Sequence, residues 1–262
     1  MKGWAVVTGA SSGIGAEFAR ELSRRGYPVL AVARRRERLD ALAMEASGMD
    51  GRIQPLVADL KAEEGLALVV RQVESLGEVE LLVNNAGIAP AGDFLGTISD
   101  TQVGAIRLNV EAVVRLTHAA LKGMVQRRQG GIINLASVVA FQPFPHFAVY
   151  AASKAFVLSF TEALAEEIKG TRVRILALCP GNVATEMDVF THNQGLLGKL
   201  PSLTAKQVVK TGLGALEAGR VVTVVGGLNS FLPFFDRIMP RSMVRWMMGV
   251  SAKAEQSARP QE

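Results

Sequence analysis

The chain reads as an α/β protein: a single doubly wound Rossmann-type domain with a mainly parallel seven-stranded sheet flanked by helices. Three observations predict this. Apolar runs of strand length alternate with stretches of helical period along the chain. The runs are continuous in Val, Ile, Leu and Ala, as strands buried on both faces of a parallel sheet require. The first run leads straight into a glycine-rich turn, Thr8-Gly-Ala-Ser-Ser-Gly-Ile-Gly15, and then a helical pattern. The 262 residues hold no internal repeat, low-complexity segment or linker, so one domain with right-handed crossovers is expected.

Strands are expected at 3–7, 28–32, 52–57, 80–83, 131–135, 172–178 and 220–225. Helices are expected at 14–25, 36–46, 63–76, 101–127, 149–169 and 205–218, with Gly26 and Gly170 as stops. In the first βα turn, Gly9, Gly13 and Gly15 let the backbone bend sharply and approach a pyrophosphate at the helix N-terminus, with Ser11, Ser12 and Ile14 beside it. The spacing is G-x-x-x-G-x-G, not the commoner G-x-G-x-x-G, and an ordinary glycine-rich turn is the plain alternative.

The second strand ends at Ala33, where an NAD-selective site places a carboxylate; Arg34 and Arg35 follow instead. Arginine suits a ribose 2′-phosphate, so NADP is expected over NAD. The alternative is a basic first helical turn paired with Glu37. Asp59, before Leu60, could accept from an adenine amino group or cap the next helix. Asn84-Asn85-Ala86-Gly87 closes the fourth strand with small residues that permit close backbone approach. For Asn84 itself a structural role is expected.

If 149–169 is helical, Tyr150 and Lys154 share one face a turn apart. A free tyrosine titrates at about 10, and a nearby cation favours the phenolate, so Lys154 is expected to lower the Tyr150 pKa. Ser137 lies just past the fifth apolar run, where open α/β sheets hold ligands. Alone, Y-x-x-x-K also occurs on ordinary surface helices.

The net charge is +5, with Lys and Arg mostly dispersed among Glu as on solvated helix faces. No aromatics interleave the one basic run at 34–38, so no nucleic-acid partner is expected. The single cysteine, Cys179, excludes an intrachain disulfide and fits a reducing, cytoplasmic setting. The three histidines are scattered, no His/Cys/carboxylate cluster suggests a metal, and His146 reads as a loop residue. The first residues run directly into a strand pattern, with no secretory signal or spanning segment expected.

Taken together, Thr8-Gly9-x-x-x-Gly13-Ile14-Gly15, Asp59, Asn84-Asn85-Ala86-Gly87, Asn109, Ser137, Tyr150-x-x-x-Lys154 and Pro180-Gly181 make the chain resemble the classical short-chain dehydrogenase/reductases. The resemblance covers residues 1 to about 186 and is closest to ketone and acyl reductases. It implies that Tyr150 exchanges a proton with substrate, that Lys154 holds the nicotinamide ribose, and that Ser137 polarises a carbonyl. It implies that Asn109 holds a water for proton resupply, and that Asn85, Ala86 and Gly87 border the adenosine ribose. Pro180, Gly181, Val183 and Thr185 would contact the nicotinamide end. It implies a small carbonyl or alcohol substrate and a homodimer or homotetramer. A sensor or scaffold binding NADP(H) without catalysis is the rival class.

One domain is expected over 1–250, with a polar tail at 251–262. The resemblance places a substrate lid at 186–203, where Met187, Phe190, Leu196 and Leu197 could line a pocket with Phe141, Phe144 and Phe147; ordinary packing is the equal alternative. The extension at 227–250 is rich in Phe, Met, Arg and Trp. Three placements suit it: packing on its own or a neighbouring subunit, capping the cleft, or lying on a membrane surface.

Overall fold

The computed structural model describes residues 2–48, 50–184, 186, 202–226, 242–245 and 248–249. Its strands are β1 (Trp4–Thr8), β2 (Val29–Ala33), β3 (Ile53–Val57), β4 (Val79–Asn84), β5 (Gly130–Leu135), β6 (Val173–Pro180) and β7 (Val222–Val225). All neighbours pair in parallel, in the order β3-β2-β1-β4-β5-β6-β7. The helices are α1 (Gly13–Arg24), α2 (Arg36–Glu45), α3 (Glu63–Ser75), α4 (Ser99–Ile106), α5 (Ala112–Arg127), α6 (Ala148–Glu167) and α7 (Ala205–Glu217).

Each strand feeds two cores because successive side chains point to opposite faces. In β1, Ala5 and Val7 join one hydrophobic cluster and Val6 the other. In β2, Val29 and Ala31 separate from Leu30 and Val32 in the same way. This is why the strand runs are apolar throughout rather than alternating.

The strand order reverses between β1 and β4, which opens a crevice beyond their carboxyl ends. Gly9 (φ +67°) and Gly13 (φ +54°) hold the left-handed conformations of the turn above β1. A Cβ on Gly15 would stand 2.3 Å from the Gly9 carbonyl oxygen, so only glycine lets α1 approach the turn.

The predicted helix at 101–127 begins slightly earlier and contains a π-turn at Arg107–Glu111 between α4 and α5. Asn109 sits inside it, a local widening often found at functional sites. A Val183–Leu203 bridge lies just before α7, which opens with a Thr204–Gln207 capping box.

Candidate active site

The phosphate-side cradle is built where α1 begins. Ser12 occupies the N-cap of α1 without a side-chain cap bond. Its hydroxyl accepts from Arg35 at 2.8 Å instead, while Ser11 Oγ accepts from Arg35 Nε at 3.1 Å. The first N–H groups of α1 thus meet the cleft without a side-chain cap, as anion binding needs. Thr8 ties this turn to β4: its hydroxyl accepts from the backbone N–H groups of Asn85 and Ala86, each at 3.0 Å. Asn85 Nδ2 donates back to the Thr8 carbonyl at 2.9 Å. Thr8 carries no role in the sequence reading beyond its place in the motif.

The cleft has a volume of about 430 Å³. Of the expected cofactor residues, Gly9, Ser11, Ser12, Gly13, Ile14, Arg34, Arg35, Asp59, Leu60, Asn85, Ala86, Gly87, Tyr150, Lys154, Pro180, Gly181 and Val183 line it. Gly15 lies behind the turn, and Thr185 lies outside the described residues, as do 187–201. Asp59 does not cap α3, whose N-cap is Ala62. Its Oδ1 accepts from the Lys61 N–H at 3.0 Å, an Asx turn, and Oδ2 stands 4.0 Å from Arg34. Asn84 is structural: its Nδ2 donates to Thr117 Oγ1 and Asn134 Oδ1 within the buried sheet.

The chemical end lies deeper. Ser137 lies two residues past the end of β5 and N-caps the short 3₁₀ turn Val138–Phe141, its Oγ accepting from the Val139 N–H at 3.3 Å. Tyr150 and Lys154 project from the first turns of α6 and are buried, with the ammonium 5.8 Å from the centre of the phenol ring. Lys154 Nζ donates to the Leu135 carbonyl at 2.6 Å.

The expected lowering of the Tyr150 pKa is reversed. Burial pushes the phenol up to about 12, against which a hydrogen bond with Ser137 pulls it down. Lys154 is itself lowered to about 8, because burial penalises the ammonium. Desolvation is the largest cause at both groups. Neutral Cys179, pushed up to about 12 by burial, lies close enough to couple to Lys154.

Asn109 gathers the floor. Its Oδ1 accepts from the Ile88 N–H at 3.0 Å, and its Nδ2 donates to the Ile88 carbonyl at 2.9 Å and to Ser153 Oγ at 3.0 Å. Ser153 escaped the sequence reading, although it stands beside Lys154 in the Tyr150–Lys154 motif. A Cβ on Gly87 would lie 3.2 Å from Asn109 Oδ1 and 3.6 Å from Lys154 Nζ, so this glycine keeps the gap between them open.

Phe141, Phe144 and Phe147 do not line the cleft; they pack in the core behind it. Phe144 and Phe147 pack with Tyr150, Val139, Val244 and Met248. Phe141 does not join them; it packs on a separate cluster with Val157 and Leu158. Met187, Phe190, Leu196 and Leu197 lie outside the described residues. Within the described part of the extension, Val244 and Met248 pack on their own chain in one cluster with Tyr150. Gln142 Nε2 donates to Met248 Sδ at 3.6 Å. His146, at φ +63°, pairs its Nδ1 with Asp93 at 2.8 Å. Among the described residues no group of His, Cys, Asp and Glu could hold a metal, and no helix could cross a membrane.

A nicotinamide dinucleotide fits this donor set. The cleft offers an uncapped helix end, glycine turns and paired serine hydroxyls at one end. At the other, Asn182 Oδ1 is buried without a hydrogen-bond partner among the described residues.

Fold and cleft together define a dinucleotide-dependent oxidoreductase of the Rossmann type. The short chain dehydrogenase family profile matches residues 3–194, and the chain belongs to that family. It is 35% identical over 223 residues to mouse 17-beta-hydroxysteroid dehydrogenase type 3, covering 84% of this chain and 70% of that protein. It is similar to a short-chain dehydrogenase from Sphingobium yanoikuyae in complex with NADPH, at 28% identity and a TM-score of 0.78 over 100% of this chain and 98% of that one. The bulky-bulky ketone specific alcohol dehydrogenase of Comamonas testosteroni aligns with a TM-score of 0.76 at 27% identity, over 100% and 96% of the two chains.

Proposed function

We propose that this protein is an NADPH-dependent carbonyl reductase acting on a lipophilic ketone, aldehyde or acyl carbonyl. The observation that carries the reading is the convergence of Ser137, Tyr150 and Lys154, all buried and all lining one cleft, with Tyr150 packed on the apolar cluster of Phe144, Phe147, Val244 and Met248. Apolar packing on the Tyr150 side of the cleft favours a substrate with a hydrocarbon body over a sugar. The 17-beta-hydroxysteroid and bulky-ketone enzymes among its relatives support the same class.

The bound cofactor supplies the hydride to the carbonyl carbon. Gly9, Ser11, Ser12, Gly13 and Ile14 would hold its pyrophosphate, with Gly15 letting α1 approach the turn from behind and Arg34 and Arg35 at the 2′-phosphate. Asp59, Leu60, Asn85, Ala86 and Gly87 would flank the adenosine half, and Pro180, Gly181, Val183 and Thr185 the nicotinamide. Ser137 hydrogen-bonds the substrate oxygen as negative charge grows there. Tyr150, with its pKa near 12, stays protonated until the oxygen opposite becomes an alkoxide basic enough to take its proton. The Lys154 charge then stabilises the phenolate left behind, and a buried site makes that attraction stronger than in water. Asn109 acts through others, fixing Ile88 and Ser153 beside them.

The test is NADPH oxidation over a panel of steroid ketones, 3-oxoacyl thioesters, bulky aryl ketones and aldehydes, with NADH in parallel. Tyr150→Phe serves as the blank and should lose nearly all turnover while still binding NADPH. Full activity in that variant overturns the reading. Tight NADPH binding with no turnover on any substrate favours a sensor or scaffold.

A further inference from the structure

Glu186 is the residue that the nucleotide reading does not use. It lies two residues beyond the end of the segment pinned by the Ala184 N–H to Leu203 carbonyl bond of 3.0 Å, and it lines the cleft. Its carboxylate accepts from Arg35 at 2.7 Å and from Arg38. Arg35 in turn donates to Ser11 and Ser12. Two guanidinium groups and the serine hydroxyls of the first turn therefore converge around one carboxylate. Its pKa is held down at about 2, first by Arg35 and then by Arg38. A carboxylate in such a cluster occupies the place a phosphate would take, because both are anions read by planar forks of N–H donors.

We propose that Glu186 is a specificity-determining residue that competes with the cofactor's 2′-phosphate for Arg35 and Arg38. The inference rests on the reading that this arginine cluster faces the ribose 2′ position. An NADP 2′-phosphate must displace Glu186 from Arg35 or meet it as a like charge. The free 2′-hydroxyl of NAD leaves the ion pairs undisturbed. Glu186 thus narrows the gap between the two cofactors that the arginines would otherwise open. The groups are half exposed, so a moderate effect is expected rather than an absolute switch.

Binding separates this from the enzyme's activity. Dissociation constants of 2′,5′-ADP, 5′-AMP, NADPH and NADH are measured by calorimetry on the wild-type chain, Glu186→Gln and Glu186→Ala. Thermal melts verify that each variant is folded. Both substitutions should tighten NADPH and 2′,5′-ADP by about five- to tenfold and change NADH and 5′-AMP by less than about twofold. Unchanged NADPH affinity, or equal shifts for phosphorylated and unphosphorylated nucleotides, overturns the proposal. If the wild type prefers 2′,5′-ADP but neither variant prefers it more, the Glu186 inference falls and the NADP reading stands. If the wild type shows no preference and Glu186→Gln creates one, the inference stands and the wild-type NADP preference falls. If no protein discriminates, both fall.

Discussion

The Lys154 ammonium lies 5.8 Å from the centre of the Tyr150 ring, and burial moves the two groups toward their neutral forms. The phenol rises to about 12 while the ammonium falls to about 8. At neutral pH the site therefore holds a protonated phenol beside a cation, the state a proton donor for carbonyl reduction requires. The sequence pattern alone points to a cation-lowered tyrosine; the structure makes it a reluctant acid assisted by a charge.

A pH dependence follows. Lys154 loses its charge as pH rises through about 8, so kcat/KM for reduction should fall on the alkaline side with a break near that value. Lys154→Arg keeps the charge and should shift the fall to much higher pH. Initial rates between pH 6 and 10 check this; a wild-type profile flat through pH 9 contradicts it.

The same shift predicts a stability effect with a definite sign. The folded-state pKa is lowered from 10.5 to about 8, so below pH 8 the protonated lysine favours the unfolded chain. At one pKa unit per 1.36 kcal/mol, the penalty is at most roughly 3 kcal/mol, and it fades as pH rises from 8 to 10.5. Lys154→Met should raise Tm at pH 7, and the gap from wild type should narrow toward pH 10. Paired thermal melts at several pH values measure it.

Gly15→Ala should cost about 3 kcal/mol or more, since its Cβ would overlap the Gly9 carbonyl oxygen at 2.3 Å. Urea unfolding gives the number, and nucleotide binding should be lost even where the fold survives.

Asn109→Ala removes three hydrogen bonds of a buried side chain and takes this partner from both backbone groups of Ile88, while Ser153 keeps its bond to the Tyr150 carbonyl. A loss of about 2–3 kcal/mol is expected. A positioning role predicts a lower kcat with little change in the dissociation constant of NADPH; a purely structural role would lower only the folded fraction.

Val244→Asp places a charge in the apolar cluster of Phe144, Phe147 and Tyr150. KM for an apolar ketone should rise about tenfold, or 1.4 kcal/mol, while NADPH affinity holds. Equal KM values in both proteins would remove Val244 from the substrate side.

Much of the architecture was legible because its determinants are local. Continuous apolar strands, Gly9, Gly13 and Gly15 at their spacing, and the Tyr150–Lys154 interval each act within a few residues of chain. The boundaries of α6 and α7 moved by no more than two residues from expectation. Less legible were the contacts of Phe141, which shares the composition of Phe144 and Phe147 but faces another cluster. The partner of Asn109, Ser153, lies 44 positions away, and no period in either segment relates them.

By itself, the sequence determined the alternation of elements, the parallel sheet they form and the glycine turn at its switch point, because periodicity and backbone freedom are written residue by residue. Only the tertiary structure decided that Arg35 meets Glu186, 151 positions later, and that Val244 and Met248 pack in one cluster with Tyr150. It also decided the direction of the Tyr150 shift. Distances between remote groups and the exclusion of water from a site exist only once the chain is packed, and protonation follows them.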